Sequence, residues 1–385
     1  MPQEIIAQLE PMLRQHARTA EMERRLPAEV VQALLDAGLF RTWVPKAYGG
    51  LEMDPIPALT LFEDLARIDG SVGWVVGTST FFSFMCQILP DDGSAEIFAA
   101  PRTIVAGAAN PPGIATPVEG GYRVTGQWPF GSGCHFADWL AAPCLIMDGG
   151  SPRLGPDGSP LLLFVFFKRE EAEILDTWYT LGMRGTGSAD FRMTEIFVPE
   201  RRSAALAPMD HPGRAFAGPL YRCGPWLGFI QIPMTALGIA RAALDAFMDL
   251  AATKTPSFTQ TALADRSSVQ DAVARARAQI DAARSYIYAT VGDAWQFVQS
   301  GPRITVAEGV PLGLAASFGV RAAVQAVDLV HDAAGTTAIR EEHPFQQYFR
   351  DVHTISQHAM ASSARFESLG KLMLGRETDW ALYYV

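Results

Sequence analysis

Apolar residues recur at helical spacing through the first hundred residues. The segment PAEVVQALLDAGLF places five of them on one predicted helix face: Val30, Val31, Leu34, Leu35 and Leu39. A second helix is predicted around residues 57–68, with a break at Asp69 and Gly70. The next stretch, GSVGWVVGTSTFFSF, is apolar on nearly every side, which is typical of a buried helix. Residues 1–100 are therefore predicted to form an N-terminal α-helical domain.

The pattern changes between residues 101 and 215. Short runs rich in β-branched and aromatic residues, such as LLLFVFF and ADFRMTEIFVP, alternate with Gly, Pro and Asp. This punctuation predicts six to eight strands. EGGYRVTG predicts a hairpin with Gly120 and Gly121 at its turn, and MDGGSPRLGPDGSPL predicts a surface excursion. We expect a central β-domain, either a barrel or a sandwich.

Long helical patterns return at residue 216 and continue to residue 385. Four stretches are each long enough for at least four turns: IPMTALGIARAALDAFMDLAA, SSVQDAVARARAQIDAARSYIYATVGDAWQFVQ, AASFGVRAAVQAVDLVHDAAG and PFQQYFRDVHTISQHAMASSARFESLGKLML. Gly335 follows the third stretch as a predicted helix stop. Consecutive long helices usually pack as an antiparallel bundle, so the chain is predicted to be an α+β protein ending in a four-helix bundle.

Composition narrows the class of protein. Of the 385 residues, 49% are hydrophobic and 19% charged, the balance of a folded globular protein. A net charge of -10 argues against a nucleic-acid-binding protein, which needs a basic face. The first segment is charged throughout and lacks the apolar core of a signal peptide, and the four cysteines show no metal-binding or redox spacing. We expect a cytoplasmic protein without a metal site or a membrane span.

The segment GQWPFGSGCHFADW, residues 126–139, offers three kinds of chemistry. Ser132 is a candidate nucleophile, His135 is a candidate base or metal ligand, and the whole segment is a candidate support for a flat molecule. A hydrolase nucleophile lies between a strand and a helix, whereas strands are predicted on both sides here. His135 has no second metal ligand at a suitable spacing. The simplest alternative is a turn whose glycines only redirect the chain.

The segment RDVHTISQH carries two histidines within the last predicted helix. A helical wheel groups five neighbouring residues into one apolar stripe: Phe345, Tyr348, Val352, Ile355 and Ala359. His353 and His358 fall on opposite sides of that stripe, about 140° apart. They therefore cannot face one ligand from one straight helix, and each has a packing role as its alternative.

The glycine-rich segment LGMRGTGSADF, residues 181–191, is similar to a phosphate-binding loop only at first sight. No lysine follows the glycines, and the next predicted element is a strand instead of a helix. Two interpretations stay open at this point. The segment is either a plain turn between strands or a loop whose backbone amides and hydroxyls line a ligand.

Taken together, these features resemble the acyl-CoA dehydrogenase superfamily. The order of helical domain, β-domain and four-helix bundle is that of the superfamily, and PKAYGG is similar to its early P-x-x-Y-G-G signature. GQWPFGSGCHFADW aligns without gaps to its flavin-contact strand, while the LGMRGTGS turn, the following FVP and the late FRD fall in the same order. The resemblance covers nearly the whole chain and implies an acyl-CoA dehydrogenase-like fold.

The resemblance assigns flavin contacts to particular residues. Phe130 takes the place of the aromatic residue that packs against the isoalloxazine, and Ser132 takes the place of the hydroxyl residue beside flavin N5. The glycines on both sides of Ser132 are expected to let the backbone approach the ring closely. Gly335 is a further expected cofactor contact. Ser132 is then a hydrogen-bonding group and not a nucleophile.

Two departures separate the chain from true dehydrogenases. The carboxylate base that removes the substrate's α-proton is missing, because Ala359 stands at its usual place and Gly228 at the alternative one. The usual T-E-P-x-A-G-S-D loop is replaced by AANPPGIATP. These departures resemble the two-component flavin-dependent monooxygenases (group D flavoprotein monooxygenases), which carry strings similar to F-x-S-G, GMRGTGS and RDVHxxxQH. Their catalytic histidine maps to His358.

The monooxygenase resemblance implies a reaction. Reduced FMN or FAD and O2 are expected to form a flavin C4a-hydroperoxide, which survives only in a dry pocket. The product would be a hydroxylated small aromatic: phenolic, indolic or polycyclic. Ser132 would support the adduct, and His358, with the ordinary histidine pKa near 6.5, would draw away the substrate's proton.

The resemblance also implies partners. No Gly-x-Gly-x-x-Gly motif follows a predicted strand, so the electrons are expected to come from a separate flavin reductase. A homotetramer built as a dimer of dimers, with the flavin at a dimer interface, is implied as well. Two alternatives stay open: an acyl-CoA dehydrogenase-like oxidoreductase with an unrecognised base, and a non-catalytic flavin-fold binding protein.

Overall fold

The computed structural model describes residues 2–109, 113–155, 158–205, 213–380 and 383. Helices form the N-terminal part, a sheet forms the centre, and longer helices form the C-terminal part, which confirms the predicted α+β order. Residues 110–112 within AANPPGIATP, and residues 156–157 of the surface excursion, lie outside the described residues. One hydrophobic core runs through all three parts, and the domain boundaries at residues 100 and 215 stay a prediction.

The described residues of the N-terminal part contain five α-helices: α1 (Pro2–Glu23), α2 (Ala28–Asp36), α3 (Pro55–Ile68), α4 (Gly70–Met85) and α5 (Asp91–Ile97). Asp69 separates α3 from α4, because its carboxylate accepts the backbone N–H of Val72 at 2.9 Å and so caps α4. Nearly every residue of α4 is buried, as predicted. A Cβ on Gly73 would lie only 2.6 Å from Ala66, so the glycine allows α4 to pack closely on α3.

The central part forms one mixed sheet of nine strands within the described residues. The strands are β1 (Val105–Gly107), β2 (Gly113–Val118), β3 (Gly121–Trp128), β4 (Trp139–Asp148), β5 (Ser151–Pro152), β6 (Leu162–Lys168), β7 (Glu173–Ile174), β8 (Phe191–Pro199) and β9 (Ser203–Ala205). The main path runs β7-β8-β3-β2-β4-β6-β9, and β1 and β5 pair with β4. The number exceeds the predicted six to eight because β5 and β7 have two residues each, too few to show alternation.

The predicted hairpin joins β2 and β3, with its turn one residue earlier than expected. Val118 pairs with Gly121, so Glu119 and Gly120 form the turn. Gly120 has φ 77°, the left-handed conformation that a tight two-residue turn requires. Gly121 is already the first residue of β3.

In the C-terminal part, the described residues contain five α-helices: α6 (Trp226–Thr253), α7 (Ser267–Gln299), α8 (Val306–Ala334), α9 (Phe345–Ile355) and α10 (Ala364–Met373). Helix α8 packs along both α6 and α7. Gly335 has φ 60° and ends α8 as predicted. The prediction of one long final helix is wrong, because α9 and α10 are separate.

The break after α9 has a local cause. The hydroxyl of Ser356 donates to the carbonyl of His353 at 2.7 Å, and the N–H of Gln357 bonds three residues back to Thr354 at 3.2 Å. Serine side chains that bond to nearby carbonyls compete with the regular helix pattern. Helix α9 therefore ends at Ile355, and His358 lies in the turn that follows it.

A buried ion cluster joins the N-terminal and C-terminal helices. Glu63 of α3 has no exposed surface and accepts hydrogen bonds from Arg284 Nε at 2.7 Å and Tyr288 Oη at 3.0 Å, both on α7. Arg241 of α6 lies 3.0 Å from the same carboxylate. A carboxylate removed from water needs such partners. Glu63 therefore links the N-terminal helix α3 to the C-terminal helices α6 and α7.

Among the described residues, two stretches are long and apolar enough to cross a membrane: α6 and Val306–Thr337. In the folded chain, 94% and 67% of their most apolar windows are buried inside the protein. The core helices of soluble proteins pass the same test of length and composition. Packing within the interior explains the apolar character of both helices.

Candidate active site

Residues 129–133, called the ledge below, begin the turn between β3 and β4. The end of β3 is held in place because the Trp128 indole donates to the Pro143 carbonyl at 2.9 Å. Phe130 then adopts φ 65°, which is uncommon for a residue with a side chain, and 58% of its surface is exposed. Its ring meets the edge of Trp178, with centroids 6.2 Å apart. The ledge therefore presents an aromatic face to the outside.

The two glycines of the ledge are required by the protein itself. A Cβ on Gly131 would lie 2.7 Å from the ring of Phe191, and the Gly131 N–H bonds to the carbonyl of Ala189 at 3.0 Å. Gly133 has φ 77° and donates its N–H to the carbonyl of Thr186 at 3.0 Å. We expected these glycines to admit a flavin ring. Internal packing and a left-handed turn already require glycine at both positions, and their close approach to a flavin ring stays a prediction.

Ser132 is a hydrogen-bonding residue in a buried position. Its Oγ accepts the indole N–H of Trp74 at 3.0 Å and lies 2.7 Å from Oγ of Ser188. No hydrogen bond joins Ser132 to His135 in the described part of the chain. A Cβ on Gly187 would lie 2.9 Å from the His135 ring, and burial, followed by nearby arginines, lowers the pKa of that histidine. Neither partner of Ser132 is a base, which excludes the nucleophile interpretation.

The glycine-rich loop, residues 181–188, supports the ledge from behind. Ser188 Oγ lies 2.6 Å from Thr186 Oγ1, which donates to the carbonyl of Met183 at 2.7 Å. Ser132, Ser188 and Thr186 are all buried, and we call these three hydroxyls the hydroxyl relay. The loop is thus more than a plain turn between strands.

Asp351 fixes this loop to α9. Its carboxylate accepts the backbone N–H of Met183 at 2.5 Å, and Arg350 donates to the carbonyl of Leu181 at 2.7 Å and to Glu21 at 2.7 Å. A Cβ on Gly182 would lie 2.3 Å from the backbone oxygen of Arg350, so the two segments touch. Burial, opposed by the bond from Met183 and reinforced by nearby acidic charges, raises the pKa of Asp351 to about 7.

His358 lies beside Trp74. The two rings meet edge to face, with centroids 5.3 Å apart and planes at 72°. His358 Nδ1 accepts the backbone N–H of Met360 at 3.3 Å, which places the ring proton of the neutral form on Nε2. Nε2 has no protein partner among the described residues. Burial lowers the pKa of His358 to about 4, well below the 6.5 we expected, so the ring is neutral at pH 7.

The two histidines occupy separate places, although not for the reason predicted. The wheel does not apply to His358, because α9 ends at Ile355. His353, on α9, lies 2.8 Å from the Asp328 carboxylate of α8. Its ring also packs against Phe349, with centroids 4.3 Å apart. His353 therefore connects two helices, whereas His358 contacts Trp74, the residue that bonds to Ser132.

Neither expected position for a dehydrogenase base carries an acid. Ala359 is exposed in the turn after α9. A Cβ on Gly228 would lie 2.5 Å from the ring of Phe81, so this position of α6 has no space for a longer side chain. Proton abstraction by a carboxylate from these two positions is excluded.

Gly335 lies at the corner where α8 ends and a 3-10 turn, Gly335–Thr337, begins. Lys254 holds this corner, because its ammonium donates to the carbonyl of Ala334 at 2.9 Å and to the hydroxyl of Thr337 at 2.5 Å. No hydrogen bond or ring contact among the described residues connects Gly335 with Ser132. Its role as a cofactor contact stays a prediction.

The four cysteines are free and buried. Burial raises the pKa to about 12 for Cys134, Cys144 and Cys223, and raises that of Cys86 as well. No group of three or more His, Cys, Asp or Glu side chains in the described ranges is arranged to hold a metal ion. The thiols are therefore protonated packing groups.

Known proteins share both helical parts of this architecture. The family model for the acyl-CoA dehydrogenase N-terminal domain matches residues 3–97, and that for the C-terminal domain matches residues 230–363. The indole-3-acetate monooxygenase of Pseudomonas putida is 30% identical over 370 residues, which span 95% of this chain and 92% of that protein. The chain belongs to the acyl-CoA dehydrogenase superfamily, in its flavin-dependent monooxygenase branch.

Two further proteins characterise the branch to which this monooxygenase belongs. The flavin-dependent monooxygenase oxygenase subunit HsaA of Mycobacterium tuberculosis is 31% identical over 369 residues, with 92% of this chain and 90% of that protein covered. XiaF from Streptomyces sp., solved with FADH2 and glycerol, is 26% identical, covers 98% of this chain and 96% of its own, and has a TM-score of 0.89. The predicted family, fold, enzyme class and reduced-flavin cofactor are confirmed. The relatives favour a monooxygenase over the two alternatives, a dehydrogenase-like oxidoreductase and a non-catalytic binding protein.

The residues of the monooxygenase site fit a flavin ring. Phe130 offers an exposed aromatic face, and Ser132, two residues further along, carries a hydroxyl that accepts from Trp74 and lies against the hydroxyl of Ser188. An apolar face beside a hydrogen-bonding group suits a flat ring with a polar edge. The particular contacts of Phe130 and Ser132 with the ring stay predictions.

Two residues of the site were not recognised in the sequence. Trp74 lies within an apolar helix pattern, where an aromatic residue is most simply a core residue. Asp351 belongs to the FRD string but has no partner nearby in sequence, since Met183 precedes it by 168 positions. Both residues bond to partners far away in sequence, so no local pattern reveals them.

We predict that replacing Asp351 by asparagine changes the pH dependence of stability. Because the pKa of Asp351 rises from 3.8 to about 7 on folding, this residue's contribution is full below pH 4 and is lost as the pH rises to 7. Asparagine keeps an oxygen for the Met183 N–H without the charge. Urea unfolding should show Asp351→Asn gaining stability over the wild type between about pH 5 and pH 8.

Asp69 supplies an internal reference for this experiment, since burial also raises its pKa, to about 6, and the variant retains it. Some loss of stability with rising pH therefore persists in Asp351→Asn. Parallel pH profiles for the variant and the wild type would contradict the assigned ionisation of Asp351.

Proposed function

We propose that this monooxygenase is the oxygenase component of a two-component system and hydroxylates a small phenolic, indolic or polycyclic aromatic. A separate reductase supplies its reduced flavin. The names of the relatives support this assignment, since one is an indole-3-acetate monooxygenase and another an oxygenase subunit. The observation that carries the proposal is a pair of contacts made by Trp74. Its indole N–H donates to Ser132 Oγ, and its ring packs against the ring of His358.

Phe130 and Ser132 hold the flavin in this proposal. The exposed ring of Phe130 packs against the isoalloxazine, and the Ser132 hydroxyl faces N5. Reduced flavin, when bound, supplies the two electrons that activate O2, one atom of which enters the substrate. The chain itself positions the ring and excludes water, for which the buried, apolar surroundings of α4 are suited.

His358 acts on the substrate. The bond from Met360 leaves its proton on Nε2, and a pKa of about 4 makes the ring a weak base at neutral pH. We therefore infer that His358 mainly donates a hydrogen bond to the substrate's oxygen, or to its ionised form. Such a bond orients the substrate's aromatic ring. It also stabilises the substrate anion, which is a stronger nucleophile toward the activated oxygen than the neutral substrate.

The remaining assignments concern the surroundings of the site. FMN and FAD both remain candidates for the reduced flavin. Gly335 contacts the cofactor, and the chain forms a homotetramer that is a dimer of dimers with the flavin at a dimer interface. The enzyme works in the cytoplasm, to which the burial of α6 and α8 in the interior is suited.

Substitution of the two histidines should separate their roles. His358→Ala should retain flavin binding but lower hydroxylated product per O2 consumed by about 10- to 100-fold, the effect of losing a hydrogen bond to a charged group. His358→Gln keeps an N–H donor and should recover part of this loss. His353→Ala should keep the wild-type ratio of product to O2, because His353 bonds to Asp328 instead.

Equal losses in His358→Ala and His358→Gln would favour a base over a donor. Uncoupling by His353→Ala with a normal His358→Ala would reverse the assignment. Product by chromatography and O2 by electrode are measured on the same samples, and thermal melting confirms that each variant is folded.

The electron source is testable with the purified chain. NADH or NADPH with flavin alone should give negligible hydroxylation, whereas an added flavin reductase should restore it. Photoreduced or dithionite-reduced flavin serves as the control, since it delivers electrons without any reductase. Oxidation of a nicotinamide by this chain alone would contradict the two-component proposal.

Subunit number is tested by light scattering on a sizing column. A homotetramer has four times the 41.8 kDa mass of one chain. A wild-type mass of one chain would contradict the proposed tetramer.

A further inference from the structure

The hydroxyl relay forms one continuous line of hydrogen bonds behind the ledge. Trp74 Nε1 lies 3.0 Å from Ser132 Oγ, which is 2.7 Å from Ser188 Oγ, which is 2.6 Å from Thr186 Oγ1. Thr186 Oγ1 is in turn 2.7 Å from the Met183 carbonyl oxygen. Both ends of the line are chemically unambiguous, because an indole N–H only donates and a carbonyl only accepts.

A count of protons fixes the direction of every bond. Thr186 uses its one proton on the Met183 carbonyl, so it must accept from Ser188. Ser188 has then used its proton and must accept from Ser132. Ser132 has therefore used its own proton as well, and one of its lone pairs receives the Trp74 indole. What remains on Ser132 is a single lone pair, which accepts and cannot donate.

The end of the line at Met183 resists reorientation. Its carbonyl also receives the Trp178 indole at 3.2 Å and the Thr186 backbone N–H at 3.2 Å, while its own N–H is held by Asp351 at 2.5 Å. If Ser132 turned its proton outward, Ser188 would lose a donor in a site with almost no access to water. A buried polar group left without its partner is costly.

We propose that the hydroxyl relay makes Ser132 an obligate acceptor, and that the site thereby selects flavin carrying a hydrogen on N5. Reduced flavin has that N5–H and donates it to Ser132 without disturbing the relay. Oxidised flavin has only a lone pair at N5, so two acceptors would face each other. Ser188 and Thr186 are then positioning residues for the choice of flavin redox state.

This inference rests on the proposed placement of the flavin beside Ser132. It goes further, because it assigns the preference for one redox state to two residues that lie behind Ser132. Their effect is a change in the ratio of two affinities, and it is measurable without substrate and without turnover.

The test compares dissociation constants for oxidised and reduced FMN, and for oxidised and reduced FAD, under anaerobic conditions. In Ser188→Ala, Ser132 regains a free proton and can donate to oxidised flavin. The ratio of the oxidised to the reduced dissociation constant should therefore fall by about fivefold to tenfold, the effect of one hydrogen bond. Thr186→Val should lower the ratio in the same direction, because Ser188 can then turn toward Ser132.

A control variant and an independent measurement accompany these variants. Ser79→Ala removes a buried hydroxyl of the same helix as Trp74, which bonds to the Val105 carbonyl at 2.7 Å and lies outside the relay, so it should leave the ratio unchanged. The midpoint potential of bound flavin is an independent readout. A tenfold fall in the ratio lowers the midpoint potential of the bound flavin by about 30 mV, because flavin is a two-electron couple.

A wrong placement of the flavin beside Ser132 and a wrong role for the hydroxyl relay give different results. If Ser132→Ala changes neither affinity, the flavin does not lie beside Ser132 and its proposed placement fails. If Ser132→Ala weakens reduced-flavin binding while folded Ser188→Ala and Thr186→Val keep the wild-type ratio, the placement stands and the relay proposal is overturned. A lowered ratio in both relay variants, with Ser79→Ala unchanged, supports it.

Discussion

The hydrogen bond between the Asp351 carboxylate and the Met183 backbone N–H connects the helical and sheet parts of the active site. It joins α9 to the glycine-rich loop at 2.5 Å, in a place where the carboxylate has almost no access to water. Through Met183 the same connection reaches Thr186 and the hydroxyl relay. The orientation of Ser132 thus depends on a residue far from it in sequence and close to the start of the turn that carries His358.

Burying this carboxylate is unfavourable in itself, and its raised pKa is the measure of that cost. The loop gains a defined position in return. Gly182 touches the backbone of Arg350 so closely that no side chain fits between them. A rigid rear wall suits a site in which several weak hydrogen bonds must keep one direction.

Sequence periodicity was sufficient for the large elements and insufficient for the site. Helix α7 matches its predicted segment residue for residue, and Gly335 ends α8 as expected, because both signals are local. The end of α9 was missed since it depends on which acceptor the Ser356 hydroxyl chooses. Phe130, Ser132 and His358 were found through family resemblance. Trp74, which joins the last two, is invisible to periodicity because its contacts are long-range.

The burial of the four cysteines has a consequence for durability. An oxygenase that loses coupling releases hydrogen peroxide next to its own side chains, and peroxide attacks thiolates far faster than thiols. Burial keeps Cys86, Cys134, Cys144 and Cys223 protonated and out of solvent. Self-inflicted oxidation should therefore fall first on accessible methionines such as Met22 and Met373, which are 68% and 65% exposed. Damage of that kind leaves the interior packing intact, so an enzyme that turns over without substrate is oxidised at its surface before its core is affected.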